Sequence, residues 1–444
     1  MSIDRILKNE LCTGCGVCIS EDKSKTSKMV WSESNFLVPK LTELSTTDEM
    51  YTVCPFNPNT KNEDELGKIL FEETSKNYND RIGFYEGLYA GYSNKYRETS
   101  SSGGIATYIF EKIINNKVVD HLFIVKETSE GFEYQLCSDI DDIRKISKTR
   151  YMPVTLEKLF KEIDNIEGKV AVSGVSCFVK AIRLKQVKHP ILKEKIPFVV
   201  GIICGGLKSK YYTDFLAQSA GCNAEYSSVQ YRVKKNDSFA LDYKFSCKDN
   251  QNGRIHMVDM LSLGDMWGTG LFKSNACDFC DDVMNELADI SLGDAWIDPY
   301  DKSGRGNSVI ITRSQLAESL VNYGLINKEL SLDEISLERM IQSQSGSFNH
   351  RHKGLYYRID RFSNKDMINK RKRFILKQNI FLDLVQSQRM KTREQSLYYW
   401  KNTKNTAEFN ALMHPLIVKL KIYTKIHHMP QKLIKLFKNK LGMK

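Results

Sequence analysis

The chain has no run of apolar residues long enough to span a bilayer, which takes roughly 18 or more. The longest apolar stretch, at 196–207, fits a buried strand instead. The first eight residues contain neither an apolar core nor a small-residue cleavage site, so we do not expect export. Without export, eleven cysteines indicate metal ligation in a reducing cytoplasm rather than a disulfide framework.

The sequence also lacks an obvious acid–base site and a broad basic surface. Its eight histidines are scattered, and none forms a recognisable pair with a carboxylate, so no catalytic proton donor is named. Residues 401–444 hold ten lysines and one acid, Glu408, and thus carry nine of the eleven net positive charges. The rest of the chain is nearly neutral, so we do not expect general binding to nucleic acid.

The 444 residues suffice for about two or three domains. Residues 1–60 form a small cysteine-bearing module, and a polar linker with a short helix at Leu66–Phe71 follows it. We assign 82–345 to the main domain and 346–444 to a helical region that ends in a basic tail.

The main domain alternates between strand and helix patterns. Apolar runs predict strands at 88–92, 122–125, 169–175 and 197–203, with helices at 105–115, 178–188 and 211–219. Such alternation is typical of an α/β domain with a mostly parallel sheet covered by helices. Residues 225–260 alternate as antiparallel strands do, which indicates a β insertion. From Leu332 onward the pattern is helical and polar.

The first of two cysteine sets lies in the N-terminal module and consists of Cys12, Cys15, Cys18 and Cys54. Three thiolates on one tight loop can bind three corners of a cubane iron–sulfur cluster, and the fourth arrives from the far end of the module. Glycines in both gaps of the loop let the backbone bend around the cluster. Zinc prefers two separated cysteine pairs, so the pattern favours [4Fe–4S]. It resembles a single-cluster bacterial ferredoxin, so we expect a small α+β ferredoxin-like domain.

The second set consists of Cys177, Cys204, Cys277 and Cys280. The last two cysteines alone fit zinc, a redox dithiol or a cluster. Cys177 and Cys204 each lie where an apolar strand ends, and ligands bind at such carboxyl ends in open α/β sheets. Together the four thiols would complete a second site, although Cys177 and Cys204 also fit small core residues. Cys137, Cys222 and Cys247 are interpreted as plain thiols.

Four motifs occur in one order: Ser102-Gly-Gly-Ile-Ala-Thr, Gly174-Val-Ser-Cys, Cys204-Gly-Gly, and Cys277-x2-Cys280 leading to Ala288-Asp-Ile-Ser-Leu-Gly-Asp-Ala-Trp. Through them the chain resembles the coenzyme F-420 hydrogenase/dehydrogenase beta-subunit family over about residues 82–315. A ferredoxin-like module often precedes the main domain in this family. One departure is Ser176, which stands where the family usually has a proline.

The resemblance implies an FAD-binding flavoprotein with a [4Fe–4S] cluster close to the flavin. Members exchange electrons between iron–sulfur carriers and a substrate at the flavin, which is F-420 in archaeal hydrogenases and a chlorophyll intermediate in ferredoxin-dependent reductases. Other members lie among bacterial surface-polysaccharide genes, so polysaccharide biosynthesis is one expected setting.

We therefore expect a cytoplasmic iron–sulfur flavoprotein oxidoreductase with two [4Fe–4S] clusters and FAD. Its expected partners are a ferredoxin or another electron-donor protein and an unknown small-molecule substrate. The alternatives are an electron-transfer subunit without its own substrate, an F-420-reducing dehydrogenase subunit, and an assembly factor with structural clusters. No residue singles out the deazaflavin as substrate.

Candidate flavin contacts are Ser102, Gly103, Gly104, Lys148, Gly174 and Asp294. The Ser-Gly-Gly turn opens a helix whose free amides favour a phosphate, although ordinary N-capping explains it equally. With the resemblance, we interpret it as an FAD pyrophosphate or ribityl contact. Lys148 fits a phosphate contact or a solvated loop, and Asp294 fits a flavin hydrogen bond or a turn cap.

The basic tail carries apolar residues between its lysines, and Pro415 and Pro430 bound its segments. A basic amphipathic helix can lie on an anionic membrane surface, which would place the protein on the inner membrane face. The alternative is a helix packed on the body of the protein or on a partner.

Overall fold

The computed structural model describes residues 2–128, 131–145, 148–369, 371 and 379–440, without the side chains of 144–145 and 430–440. The helices are α1 (Ile3–Lys8), α2 (Thr47–Tyr51), α3 (Glu63–Phe71), α4 (Ile105–Asn115), α5 (Ile140–Lys145), α6 (Glu157–Glu162), α7 (Ser176–Lys188), α8 (Leu192–Lys195), α9 (Lys210–Ser219), α10 (Gln315–Ile326), α11 (Leu337–Ser343), α12 (Ser345–Phe348), α13 (Leu355–Arg361), α14 (Ile380–Thr403) and α15 (Thr406–Lys440).

The strands are β1 (Lys28–Trp31), β2 (Leu37–Lys40), β3 (Asn77–Asn79), β4 (Gly83–Tyr85), β5 (Leu88–Ser93), β6 (His121–Thr128), β7 (Gly131–Cys137), β8 (Val170–Val175), β9 (Phe198–Ile202), β10 (Tyr226–Lys234), β11 (Tyr243–Asp249), β12 (Ile255–Asp259), β13 (Ile290–Asp294), β14 (Ser308–Thr312) and β15 (Leu330–Glu334). Short 3-10 helices cover Val17–Glu21, Ile163–Asn165, Met260–Leu263, Asn275–Asp278, Tyr300–Lys302 and Lys365–Met367, and a π-helix covers Asn349–Lys353.

The main sheet has eight strands in the order β15-β5-β14-β13-β9-β8-β6-β7. Its central strands β13, β9, β8 and β6 are parallel. Four of the seven neighbouring pairs are antiparallel, but five of the eight strands, including β5, point the same way. Because most strands share one direction, the structure confirms the predicted α/β main domain with a mostly parallel sheet.

The central strands are almost continuously apolar because helices cover both faces of the sheet. Val172 and Val199 face the core that contains the apolar side of α7. Phe198 and Val200 face the opposite core, with α4. This alternation of side chains follows from the period of two along a strand.

One edge of the sheet collects the carboxyl ends of the strands that point the same way. At this edge β5 ends at Ser93, β8 at Val175, β9 at Ile202 and β13 at Asp294. The antiparallel strand β14 begins there, at Ser308. Segments that are far apart in the sequence therefore meet along this edge.

The predicted β insertion is present as an antiparallel sheet in the order β10-β11-β12. The N-terminal module contains α1, α2 and the β1–β2 hairpin, and its Ile6 and Val17 share a core with Phe178 and Ile182 of α7. Helices and one hairpin fit the expected α+β composition. The ferredoxin-like assignment of the module stays a prediction, as do the three domain boundaries.

The prediction of helix from Leu332 onward is wrong at its start. Leu330–Glu334 forms β15, an edge strand paired with β5. A five-residue edge strand with a polar exposed end carries too little apolar alternation to be recognised. Beyond it, α11 to α15 confirm the helical C-terminal region.

The basic tail is one helix rather than segments bounded by prolines, since α15 runs through Pro415 and Pro430. Proline removes one backbone hydrogen bond, but Pro415 and Ala411, four residues earlier, are both exposed, so water can reach the freed carbonyl. Phe409 packs on Phe215, with ring centroids 5.3 Å apart, so the start of the helix lies on the body of the protein.

Membrane contact of the tail stays a prediction. Several of its apolar side chains, such as Leu436, lie outside the side chains described. Within the described part of the chain, no helix combines the length and the apolar character that a membrane crossing requires.

Candidate iron–sulfur centres and cofactor cleft

The structure brings the four cysteines of the first set together. Burial raises the pKa of the Cys18 thiol, and the neighbouring thiols of Cys15, Cys12 and Cys54 raise it further. Three of these cysteines are buried and Cys12 is half-buried. Four converging thiols in a water-poor site are the donor set that the sequence predicted.

Backbone amides and tight glycine turns surround this first set. The Gly14 N–H donates to Cys12 Sγ at 3.4 Å. Gly14 and Gly16 have φ angles of 74° and 73°, in the left-handed region that favours glycine. A Cβ on Gly16 would come within 1.9 Å of Thr155 Oγ1, so the loop also needs glycine for its packing.

The second set converges as well, although its members come from three segments. Burial raises the pKa of the Cys177 thiol, and the thiols of Cys280, Cys277 and Cys204 raise it further. The Leu207 N–H donates to Cys277 Sγ at 3.1 Å, which ties the loop after β9 to the Cys277 loop. Cys177 and Cys204 are therefore not isolated core thiols, and their ligation of a cluster stays a prediction.

Cys177 lies in the first turn of α7, which begins at Ser176 directly after β8. The chain therefore passes directly from β8 into α7, without the separate turn that the sequence predicts. Proline is favoured at a first helical position because the N–H there has no partner within the helix. Ser176 fits the same position, and its Oγ donates to the Asp282 carbonyl at 3.2 Å.

The spacing of the sulfurs argues against zinc in either set. Tetrahedral zinc, with Zn–S bonds of about 2.3 Å, holds its sulfurs about 3.8 Å apart. Among the described residues, no three of these eight sulfur atoms lie within 4.8 Å of one another. A cubane spreads its thiolates more widely, because each binds a different iron.

Helix α7 connects the two sets. The thiol of Cys15 contributes to the raised pKa of Cys177, so the two sets are neighbours. Further along α7, Lys185 Nζ donates to Ser20 Oγ at 2.7 Å and to Glu21 Oε1 at 2.5 Å, just after the first cysteine loop. The same helix therefore holds one thiol of the second set and anchors the loop of the first.

Arg351 lies against the second set and was not found from the sequence. Its buried guanidinium donates to Cys280 Sγ at 3.5 Å and to the Cys204 carbonyl at 2.6 Å. It also donates to the Asp282 carbonyl at 2.8 Å. In the sequence, Arg351 belongs to a basic run in a polar helical region, and nothing distinguishes it from a solvated residue.

A buried group of charges lies behind the Cys280 loop. Arg371, whose side chain is 1% exposed, lies 2.9 Å from Glu63, 3.0 Å from Asp281 and 3.1 Å from Glu286. Burial raises the pKa of Glu286 to about 8, although Arg371 opposes the shift. One guanidinium thus joins α3 of the linker, the Cys280 loop and the C-terminal region.

The Ser-Gly-Gly turn packs on the strands below it. Ser102 Oγ donates to the Asn307 carbonyl at 3.0 Å, and the Gly103 N–H donates to Ser308 Oγ at 3.2 Å. A Cβ on Gly103 would lie 2.6 Å from the Gly91 carbonyl oxygen. Gly104, with φ of 81°, precedes α4. Packing therefore accounts for Gly103, and the contact of the turn with FAD stays a prediction.

Cations gather around this turn. Lys234 Nζ donates to the carbonyl of Ser102 at 2.8 Å. Burial lowers the pKa of Lys234 to about 7; Glu98 opposes this shift, whereas Arg232, Arg97 and Lys148 favour it. Lys148 thus lies near the turn, and its contact with a phosphate stays a prediction. Three buried donors there have no hydrogen-bond partner among the described residues: Ser100 Oγ, Arg150 Nε and Arg232 Nε.

A cluster of packed aromatic side chains, referred to below as the cleft, lies between these cations and the second cysteine set. The rings of Tyr151 and Trp267 are 4.8 Å apart, edge to face. Burial raises the pKa of Tyr151, and the nearby groups that affect it further include Asp294 and Cys204. A Cβ on Gly205 would lie 3.1 Å from the Trp267 ring. The cleft therefore reaches from the loop after β9 to the end of β13.

The two remaining candidate residues occupy different places. Both carboxylate oxygens of Asp294 lie 2.6 Å from the Arg232 guanidinium, beside the cleft. Gly174 lies in β8, where its carbonyl accepts from Asn285 Nδ2 at 2.9 Å. Gly174 thus lies next to the start of α7, and within the described ranges no hydrogen bond joins it to the Ser102 turn.

Comparison with known proteins identifies the family. Residues 88–161 match the model for the N-terminal part of the coenzyme F420 hydrogenase/dehydrogenase beta subunit. Residues 167–338 match the model for its C terminus. The chain belongs to this beta-subunit family. The matched region of this family member contains the Ser102 turn, the cleft and the second cysteine set, whereas the first set and Arg351 lie outside it.

Two curated relatives are similar to part of the chain. The coenzyme F420-dependent sulfite reductase of Methanocaldococcus jannaschii is 24% identical over 276 residues, which cover 59% of this chain and 40% of the relative. A subunit of the F420H2 dehydrogenase of Methanosarcina mazei is 22% identical over 250 residues, with coverage of 55% and 64%. The family member therefore spans less than two thirds of the length of either relative.

A solved structure from the F420-reducing [NiFe] hydrogenase complex of Methanosarcina barkeri is also similar. It is 20% identical, with a TM-score of 0.49, and the match covers 65% of this chain and 97% of that chain.

Proposed function

We propose that this chain is an electron-transferring oxidoreductase subunit in which two [4Fe–4S] clusters and a flavin form one relay. The observation that carries the proposal is the arrangement around α7, where two sets of four thiols are neighbours and the second borders the aromatic cleft. The family's relatives are redox proteins, which supports the same class of function.

The donor sets fit the clusters. The first would be held by Cys12, Cys15, Cys18 and Cys54, and the second by Cys177, Cys204, Cys277 and Cys280. Burial raises the pKa values of Cys12 and Cys280 to about 12, so without iron these thiols keep their protons. Iron binding displaces the protons and supplies the missing positive charge.

The cleft fits FAD. Lys148, Lys234, Arg150 and Arg232 would neutralise its phosphates, and two of these residues have a buried Nε without a partner in the described chain. The aromatic rings around Tyr151 would hold the flavin ring beside Cys204. When bound, the clusters supply one-electron steps and the flavin supplies hydride chemistry. The protein positions them and excludes water.

The names of the two relatives favour a deazaflavin or a partner subunit as the electron partner of the flavin. We therefore place the F420-reducing or relaying subunit ahead of an enzyme with an unrelated small substrate. A ferredoxin or another electron-donor protein remains the proposed partner at the first set, where Cys12 is only half-buried. Nothing in the fold or the relatives points to polysaccharide biosynthesis, so the proposal does not extend to it.

The test is anaerobic purification of the full chain followed by iron, sulfide and flavin analysis. We expect about eight irons, eight sulfides and one FAD per chain, as two cubanes and one flavin require. The Cys137→Ser variant is the control, because this buried cysteine lies in β7, outside both sets. Four irons or no flavin would refute the relay.

A turnover assay then separates the two electron partners. The reduced chain is mixed with oxidised F420, and the loss of the oxidised deazaflavin absorbance is followed. Turnover by the isolated chain indicates its own F420 site. Loaded clusters and flavin without turnover indicate a subunit that relays electrons between proteins.

A further inference from the structure

The β insertion contains a group of metal-ligand side chains distinct from both cysteine sets. Cys222 follows α9, Cys247 and Asp249 lie on β11, and His256 lies on β12. A sulfur of Cys222, a carboxylate oxygen of Asp249 and a ring nitrogen of His256 all lie within 4.8 Å of one another. Three different elements thus present donors to one point.

Cys247 lies beside this group, although its sulfur is not among the three donor atoms that lie within 4.8 Å of one another. It is paired with His256 in the register of β11 and β12, so the two side chains share a face of the sheet. Asp249 lies two residues further along the strand and faces the same way. The Cys247 thiol also interacts directly with the Cys222 thiol. With Cys247, the group therefore offers two sulfurs, one nitrogen and one carboxylate.

Two details indicate that this group is incomplete without a further atom. The buried His256 Nε2 has no hydrogen-bond partner in the described chain, and it lies 3.9 Å from Asp249 Oδ2. The carboxylate is already oriented, because Asp249 Oδ2 accepts from Asn252 Nδ2 at 3.1 Å and Oδ1 accepts from the Gln251 N–H at 2.8 Å. Such outer hydrogen bonds position metal ligands.

We propose that Cys222, Cys247, Asp249 and His256 bind one zinc ion in a closed structural site. Zinc takes sulfur, imidazole and carboxylate ligands in tetrahedral geometry, which separates ligand atoms by about 3.3–3.8 Å. A nitrogen–oxygen pair belongs at the short end of this range, so the 3.9 Å between His256 Nε2 and Asp249 Oδ2 must contract by about half an ångström when zinc binds.

The ion would fasten the end of α9 to β11 and β12. The same three-stranded sheet carries Arg232 on β10 and Tyr243 at the start of β11, and both groups lie beside the cofactor cleft. Zinc in this site therefore stabilises the wall of the cleft, without contacting any cofactor.

A disulfide between Cys222 and Cys247 is the competing explanation. A disulfide leaves the buried His256 Nε2 without a hydrogen-bond partner among the described residues, whereas zinc would bind it. Zinc binding adds a metal ion, whereas a disulfide removes two hydrogen atoms from the mass of the chain. Metal analysis and intact mass of one purified sample therefore distinguish the two explanations.

The test uses the full chain, purified anaerobically and analysed for zinc and iron by mass spectrometry. We expect about one zinc per chain in addition to the iron. Cys222→Ser and His256→Ala should lose at least about nine tenths of the zinc and keep the iron, whereas His256→Cys should retain zinc. The matched control Cys137→Ser should keep both metals.

Cobalt substitution gives a second readout that does not depend on the variants. The wild-type chain loaded with Co²⁺ should show the intense visible bands of tetrahedral cobalt and a thiolate-to-cobalt charge-transfer band. Wild-type chain without zinc and without these bands would overturn the proposal. So would zinc that persists in both Cys222→Ser and His256→Ala, or an intact mass two units low from a disulfide.

Discussion

The two cysteine sets differ in how far apart their members lie in the sequence. Three of the four cysteines in the first set lie within seven residues, and backbone amides such as that of Gly14 face their sulfurs. The second set joins segments more than 100 residues apart, and the guanidinium of Arg351 contacts it. The first set is a local structure, whereas the second exists only because the sheet and the C-terminal helices are folded.

This difference also predicts the direction of electron flow. Hydrogen bonds and positive charge near a cluster raise its reduction potential. Backbone amides donate to sulfurs of both sets, and in the second set the guanidinium of Arg351 also donates to Cys280 Sγ. We therefore expect the second cluster to have the higher potential, so that electrons pass from the first set inward to the cleft.

The largest expected effect comes from removing one ligand from each set in turn. Cys18→Ser should lower the iron content from about eight to about four per chain and leave the second cluster intact. Cys277→Ser should also lose about four irons, and it should abolish reduction of the flavin by the first cluster. Iron analysis and electron paramagnetic resonance of the reduced variants measure both. Loss of all iron in Cys18→Ser would show that the sets do not assemble independently.

The next effect concerns stability. Arg371→Gln removes the guanidinium that pairs with Asp281 and Glu286 and one of the two cations that pair with Glu63, the other being Lys180, and removal of one partner from a buried ion group costs about 3–5 kcal/mol. We expect the urea midpoint to fall and the second cluster to be lost before the first. The control Arg305→Gln breaks an exposed pair with Glu98 and should cost less than about 1 kcal/mol. Equal costs would contradict the buried role of Arg371.

The cleft where we propose FAD adjoins the second set, and the pH dependence of FAD binding tests that side of the comparison. Burial lowers the pKa of Lys234 to about 7, so below pH 7 it is protonated and attracts a phosphate. A bound anion favours the protonated form, so FAD affinity should be constant below pH 7 and fall by up to about tenfold per pH unit above it. Flavin fluorescence titrations between pH 6 and 9 measure this.

Lys234→Gln should bind FAD more weakly at pH 6 and lose the pH dependence. The neighbouring residue offers a matched control, because Lys235 instead pairs with Asp242 at 2.7 Å. Lys235→Gln should titrate as the wild type does. A flat profile in the wild type would exclude Lys234 as a phosphate contact.

The smallest expected effect is a change in the reduction potential of the second cluster relative to the first. Arg351→Gln removes the charged donor to Cys280 and should lower the potential of the second cluster by on the order of tens of millivolts, with the first unchanged. Redox titration followed by electron paramagnetic resonance resolves the two clusters. Arg361→Gln, an exposed arginine on α13, is the control. An unchanged second potential would remove Arg351 from the tuning of the cluster.

Much of the fold could be predicted from the sequence, because the spacing of apolar residues indicates which side chains are buried. The helix predicted at 105–115 coincides with α4, and the strands predicted at 88–92 and 197–203 contain most of β5 and β9. The edge strand β15 was missed, since its alternation is short and half exposed. The sequence predicts a helix boundary at Pro415, because proline disfavours a helix interior. The helix continues through it because Phe409 packs on the body of the protein and water can reach the carbonyl that proline leaves without a partner.

The sequence by itself determined which thiols are candidates and which family the chain resembles, because loop spacing and short motifs are local. Only the tertiary structure decided that Cys177 and Cys204 meet the Cys277 loop, that Arg351 lies against them, and that Cys222, Asp249 and His256 converge with Cys247 beside them. The physical reason is that these contacts depend on where strand ends meet at the edge of a sheet. No single segment of the chain encodes that arrangement.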